Sequence, residues 1–360
     1  MQDARTCALL ALYEIEYEGA YSNIALKNIL KNSELDSRDK AFVTAIVYGV
    51  LTKKMYLAYI ISEFSSIKLK KISKYILEIL RMGVYQIKFM DKVPDSAAVN
   101  ESVKLSKRYG HKAASGFVNG VLRSVITKHF NEPNDTYIKE SFLKENADRL
   151  YKDYGKRAES IMASLNNEPK MTIRTNLLKT TPETLKKLLR AEDCPYSKKA
   201  LYLSKTDLTN SPEYKMGYFT VQDISPMIAC EVLAPQKGET VFDMCASPGG
   251  KTTYFAELME NEGKIYAFDI HPHRTELIKF NKERLGLNII EEKVADATVL
   301  DENLIEKADK VLMDVPCSGI GISKRKPELK YKGDHEDLTE IQYKILSNGA
   351  KYLKKGGELV

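Results

Sequence analysis

The sequence predicts three consecutive domains: an all-α bundle over residues 1–130, a small mixed α/β connecting domain over 131–235, and a C-terminal α/β domain on a parallel sheet over 236–360. Three observations carry that reading. Apolar residues recur three and four apart from about residue 4 to 127, which is the spacing of helix faces. HFNEPNDTYIKES, residues 129–141, then supplies the Pro, Asn and Asp of a linker. After residue 237 the rhythm changes to strand, glycine-rich turn and helix, an alternation that specifies a parallel sheet covered by helices.

In the first domain the helix faces run through Leu9, Leu12 and Ile15, then Ile24, Leu26 and Leu30, then Phe42, Ile46, Val47 and Leu51. YLAYIISEF, ISKYILEILRMGVYQI, SAAVNESVKLSKRYG and GFVNGVLRSVI continue the pattern between short turns, as in a helical bundle. Between 140 and 235, helices ESFLKENADRLYKDYG and TPETLKKLLRAE flank the strand-like runs MTIRTNLL and LYLSK. The last domain reads ETVFDMCA, SPGGKTTYFAELMEN, GKIYAFDI, PHRTELIKFNKERLG, NIIEEKVADA and DKVLMDVPC. A helix DLTEIQYKILSNGAKYLKK, a turn at Gly356–Gly357 and the strand ELV follow.

A length of 360 residues suits two or three domains of ~150 residues. With 43% hydrophobic and 29% charged residues and no apolar run near about 18 residues, a membrane protein is disfavoured. The start MQDARTCALLALYEIEYEGAY is acidic where a signal peptide is basic, so a cytoplasmic protein is expected. Cys7, Cys194, Cys230, Cys245 and Cys317 lie far apart without a CxxC, which predicts reduced thiols and no metal site. His271 and His273 read as a solvated turn, and a monomer is expected. Charge is uneven: residues 1–130 hold 20 Lys+Arg against 12 Asp+Glu, a net +8, and the remainder 35 against 37, a net −2. A basic N-terminal third suits a phosphate-backbone partner, although solvated helix faces give similar counts.

VFDMCASPGGKTT, Val241 to Thr253, carries the chemistry. A strand ends in Asp243, a small-residue loop turns, and a helix opens near Gly250, so backbone and helix N-terminus can approach a ligand. GGKT imitates a P-loop, but Cys245 stands where that motif needs its first glycine, and GxGxxG is absent too. Asp269 follows the loop by about twenty residues, the separation at which a carboxylate reaches ribose hydroxyls. Asp296 and Asp314 follow the next two strands. Each acid taken alone reads better as an N-cap or a surface group. Four on consecutive strand ends converge on the crevice where open α/β sheets bind ligands, and they suit a neutral or cationic nucleoside rather than a polyphosphate.

DMCASPGGKT, the Asp269 strand end, VADAT and DVPCSGIGISKRKPELKY resemble the RsmB (Sun/Fmu) family of S-adenosylmethionine-dependent rRNA cytosine-C5 methyltransferases. The helical N-terminus is similar to a NusB-like RNA-binding domain, and GYFTVQDISPMIA resembles the lead-in to the family's Rossmann-like cofactor domain. The resemblance implies that Cys245, Ala246, Ser247, Pro248, Gly249, Gly250 and Lys251 wrap the methionine part of S-adenosylmethionine. It further implies that Asp269 holds the ribose, Asp296 contacts the adenine, and Asp314 lies between cofactor and base. The partner it implies is small-subunit rRNA.

C5 of cytosine is a poor nucleophile. A thiolate adding to C6 makes it enamine-like, and a carboxylate near N3 and N4 stabilises the protonated ring, a position Asp314 suits. Local chemistry makes Cys317 the nucleophile, at a strand end and close in sequence to the cations of Lys324, Arg325 and Lys326. The resemblance differs: it gives attack to a Thr-Cys cysteine after the next strand and product release to Cys317. That step would lie beyond Val360, which predicts a truncated methyltransferase domain and an inactive chain. Lys324, Arg325 and Lys326 within KRKPELKYK are expected to hold RNA phosphates, with Tyr331 free to stack; KLKKISK and RYGHK offer a second basic face. The competing readings are a non-catalytic RNA-binding or ribosome-assembly module and a tRNA cytosine-C5 methyltransferase.

Overall fold

The computed structural model describes residues 3–204, 208, 210–333 and 338–360. The chain packs as two units, Met1–Pro169 with Ser318–His335, and Lys170–Cys317 with Glu336–Val360.

The first unit is helical. Helices α1 (Ala4–Tyr17), α2 (Ser22–Lys31), α3 (Ser37–Thr52), α4 (Lys54–Phe64), α5 (Lys74–Phe89), α6 (Asp95–Tyr109) and α7 (Ala114–Thr127) realise the predicted periodicity. Asp3 and Asp36 cap α1 and α3 by accepting the amides of Thr6 at 2.8 Å and Asp39 at 2.7 Å. α5 is the hub, packed against α1, α3, α4, α6 and α7. Leu9, Leu12, Ile46, Leu57, Ile79 and Leu122 are buried at its centre, each contributing about 1.5–3 kcal/mol by leaving water. The segment expected as a linker is short helix α8 (Thr136–Lys139), followed by α9 (Lys144–Tyr154) and α10 (Arg157–Leu165). These pack in the helical unit around Phe142, Ala147, Ala158 and Met162.

Residues 318–333, a strap of two 3-10 turns, also belong to this unit and correct one expectation. Lys330 is buried and donates to the Thr52 carbonyl (2.6 Å), Asn166 Oδ1 (2.6 Å) and the Glu140 carbonyl (3.3 Å). Tyr331 donates its hydroxyl to the Leu51 carbonyl at 2.7 Å, and the Lys54 ammonium covers its ring at 4.3 Å. The ring is therefore not open to stack a base. Glu328 is buried and accepts from the Ser22 amide and hydroxyl at 3.0 and 3.1 Å.

The second unit holds two sheets. Strands β1 (Met171–Thr175), β2 (Glu192–Asp193), β3 (Ala200–Leu203) and β4 (Phe219–Val221) form an antiparallel sheet in the order β2-β3-β1-β4. Helices α11 (Pro182–Leu189) and α12 (Pro212–Lys215) connect its strands, and α13 (Ile224–Leu233) follows. Strands β5 (Thr240–Asp243), β6 (Lys264–Asp269), β7 (Ile290–Val294), β8 (Ala308–Leu312) and β9 (Leu353–Leu359) form the predicted parallel sheet, in the order β7-β6-β5-β8-β9. Helices α14 (Gly250–Leu258), α15 (Pro272–Leu285) and α16 (Thr339–Tyr352) join them. Val241, Phe242, Ile265, Ala267 and Val311 are buried, as strands covered on both faces require.

The C-terminal strand differs from expectation. α16 stops at Tyr352 and β9 begins at once, with Leu353 opposite Ala308 and Glu358 opposite Lys310. The predicted Gly356–Gly357 turn survives as a bulge inside that strand, where Gly356 takes φ +81°.

Candidate active site

The chain leaves β5 for β6 and β7 on one side, and β8 and β9 lie on the other. Such a reversal opens a crevice at the carboxyl ends of the two central strands. Asp243 is the last residue of β5, and Asp314 stands two residues past β8. Between β5 and α14 the loop turns through a cis Ser247–Pro248 bond to Gly249, at φ +95°. A Cβ on Gly249 would lie 3.3 Å from the Ile278 backbone, so glycine meets both the left-handed backbone and the close approach of α15.

The crevice has a volume of about 200 Å³ and is lined by Asp243, residues 245–248, Gly250, Lys251 and Asp314, with Val221, Gln222 and Pro226 closing one side. Asp243 accepts the Thr252 hydroxyl on Oδ2 at 2.7 Å; its buried Oδ1 has no hydrogen-bond partner among the described residues. Burial pushes this carboxyl up to about 6, against the pull of the Thr252 hydroxyl and the Lys251 cation. The Lys251 ammonium forms an ion pair with Asp314. Burial, with the carboxylates of Asp243, Asp269 and Asp314, pushes the Cys245 thiol up to about 12, so it is no ready thiolate.

The crevice thus gathers Asp243, Cys245, Ala246, Ser247, Pro248, Gly250, Lys251 and Asp314, and Gly249 sets the turn. Asp269 and Asp296 are not among its lining residues. Asp269 is buried at the end of β6, accepts the His271 amide at 3.0 Å and faces the Arg274 guanidinium at 3.6 Å. Asp296 is exposed past β7; the Thr298 hydroxyl and amide, at 2.7 and 2.9 Å, hold its carboxyl below the usual range. Cys317 is exposed three residues beyond Asp314. Lys324, Arg325 and Lys326 are half-buried in the strap of the helical unit, and Lys326 lies over the Tyr21 ring at 4.9 Å.

Sequence reasoning missed Arg174 and Gln222. Arg174, on β1, is fully buried and grips the first turns of α14: Nη1 donates to the Gly250 carbonyl at 2.7 Å, and Nη2 to Thr253 Oγ1 at 3.1 Å and Glu257 Oε1 at 2.7 Å. Nε completes the bidentate pair with Glu257 Oε2 at 3.1 Å. The available signal was a lone arginine inside the strand pattern MTIRTNLL.

A five-stranded parallel sheet with a glycine-opened helix and carboxylates at its switch point belongs to the α/β methyltransferase class of fold. Known proteins agree: the NusB family model matches residues 2–127, the RsmF/B-like ferredoxin-like domain 147–207, and the 16S rRNA methyltransferase RsmB/F model 230–360. The chain is 37% identical to a probable ribosomal RNA small subunit methyltransferase B of Bacillus subtilis (strain 168), over 99% of this chain and 83% of that protein. A counterpart in Synechocystis sp. is 34% identical over 100% and 85%. The solved structure of PH0851 superposes with a TM-score of 0.79 and 26% identity, covering 98% of this chain and 83% of that one. The chain belongs to the ribosomal RNA small subunit methyltransferase B family. Among the described residues no cluster of His, Cys, Asp or Glu is placed to hold a metal, and no single helix is long and apolar enough to cross a membrane.

Proposed function

We propose that the protein is a cytoplasmic enzyme that methylates C5 of a cytosine in 16S rRNA, using S-adenosylmethionine and a covalent cysteine–C6 adduct. The observation that carries this reading is the Lys251–Asp314 pair, which ties the glycine-opened loop to the loop bearing Cys317. The crevice fits the cofactor: the unpartnered Oδ1 of Asp243 suits a cationic amino group, and the α14 N-terminus suits a carboxylate. Asp269 would hold the ribose hydroxyls and Asp296 the adenine. When bound, S-adenosylmethionine supplies a methyl group on a sulfonium.

The remaining steps need an attacking thiolate distinct from Cys317 and from the enclosed Cys245. A cysteine thiolate adds to C6, forming the S–C6 bond and moving an electron pair to C5, which takes the methyl group. Asp314 stabilises the protonated base at its N3 edge. Loss of the C5 proton to solvent then re-forms the C5–C6 double bond and breaks the S–C6 bond, expelling the thiolate, and Cys317 assists that release. We assign residues 1–130 to RNA binding, 131–235 to connection and 236–360 to transfer. Lys68, Lys70, Lys71 and Lys74, with Lys107, Arg108 and Lys112, are exposed on the helical unit and supply cations for rRNA phosphates, joined by Lys324, Arg325 and Lys326.

Titration calorimetry with S-adenosylmethionine tests the cofactor site. Asp269→Ala should weaken binding by about ten- to a hundredfold, the worth of hydrogen bonds to a charged group, and leave RNA affinity intact. Unchanged cofactor affinity would remove Asp269 from the site.

A further inference from the structure

We propose that Gln222 is an anion-binding residue of the crevice, its amide N–H group aimed by Arg174 to hold the carboxylate of an α-amino-acid ligand against the first turn of α14. The proposal rests on the cofactor reading above and adds to it a residue from outside the parallel-sheet domain.

The orientation of the Gln222 amide follows from its neighbour. Gln222 Oε1 accepts a hydrogen bond from Arg174 Nη1. A guanidinium has donors only, so the amide oxygen must face it and the amide nitrogen must face away. Arg174 cannot turn to accommodate the opposite arrangement. Its remaining nitrogens are committed to Glu257 and Thr253, and the Tyr254 ring lies 4.6 Å from its guanidinium carbon. Glu257 is itself buried, so this pair is held without competition from solvent.

Gln222 is 8% exposed, and its Nε2 is buried with no hydrogen-bond partner among the described residues. Leaving such a donor unpaired is unfavourable, a cost that an acceptor in the crevice would relieve. Nε2 stands beside Gly250, the first residue of α14, where an added Cβ would lie 3.6 Å from it. The first amides of a nine-residue helix also lack intrahelical partners. Gln222 and the helix start therefore form one convergent donor set on the crevice wall. Asp243 Oδ1 offers an unpartnered acceptor in the same crevice, so the two halves match the carboxylate and ammonium of a zwitterion.

Two probes separate this role from a general effect on the crevice: S-adenosylmethionine, and 5′-methylthioadenosine, which lacks the amino-acid portion. Both are titrated into the intact protein and into Gln222→Leu and Gln222→Glu, with thermal unfolding recorded for each. Gln222→Glu keeps an acceptor for Arg174 while replacing the donor by a repelling carboxylate, and so preserves the fold. The expected result is a loss of about tenfold or more in S-adenosylmethionine affinity for both variants, larger for Gln222→Glu, with 5′-methylthioadenosine affinity unchanged. Unaltered S-adenosylmethionine affinity in both variants, or equal losses for the two probes, would overturn the role of Gln222 and leave the cofactor reading standing. Failure of the unsubstituted protein to bind either probe would overturn the cofactor reading itself.

Discussion

Cys245 lines the crevice and Cys317 follows its lining residue Asp314 by three positions, yet their surroundings differ. Cys245 is enclosed and faces three carboxylates that oppose a further negative charge, whereas Cys317 is exposed. Cys7, Cys194 and Cys230 are buried, and burial pushes the Cys230 thiol up to about 12. If Cys317 serves release, Cys317→Ala in the protein expressed from its own gene should accumulate a denaturation-resistant protein–RNA adduct, because attack by a second thiol persists while elimination stalls. A gel-shift under denaturing conditions reads this directly. Absence of any adduct would make Cys317 the attacking thiol. Of the four strand-end acids, Asp243 and Asp314 line the crevice, as a parallel sheet that sends its carboxyl ends to one side leads one to expect, whereas Asp269 and Asp296 do not. Arg174 and Gln222 were not legible in the sequence, since Arg174 reaches α14 from the antiparallel sheet, 76 residues before Gly250, and Gln222 directly follows that sheet's strand β4.

Among the elements, the strap shows where sequence patterning misleads. KRKPELKYK has the composition of a solvated basic loop, and Lys324 to Lys326 keep part of that character. Lys330 does not: its ammonium is enclosed by oxygens from α3, from Asn166 just past α10 and from the turn after α8. Burial, and secondarily the Lys53 cation, push it down to about 7. Between pH 7 and its ordinary value of 10.5 the unfolded chain therefore binds more protons than the folded one, so stability rises with pH by at most about 1.4 kcal/mol per unit. Denaturant unfolding at pH 7 and pH 9 should show that rise in the unsubstituted protein relative to Lys330→Met, which has nothing to titrate there. Equal pH dependence in the two would mean that Lys330 keeps its proton. Helices of the bundle were legible from their 3.6-residue period; the strap was not, because its burial is decided by partners more than 150 residues away in sequence.

At the scale of the whole molecule, the chain passes between its two units after Pro169, Cys317 and His335. Cys317 thus ends the first of the two segments that make up the α/β unit, and the strap of the helical unit follows it directly in the chain. On the function proposed above, the basic N-terminal third would attract rRNA phosphates and the crevice of the α/β unit would bind the cofactor's nucleoside. The division into a helical region and a parallel-sheet region was legible from the change in hydrophobic period near residue 237. The assignment of residues 131–169 and 318–333 to the helical unit was not, because nothing local to those segments states what they pack against. Bisulfite mapping of 16S rRNA from cells with and without the gene tests the central claim most directly. The account predicts a cytosine that resists conversion only when the protein is present and regains resistance on complementation. Identical conversion patterns in the two strains would contradict it.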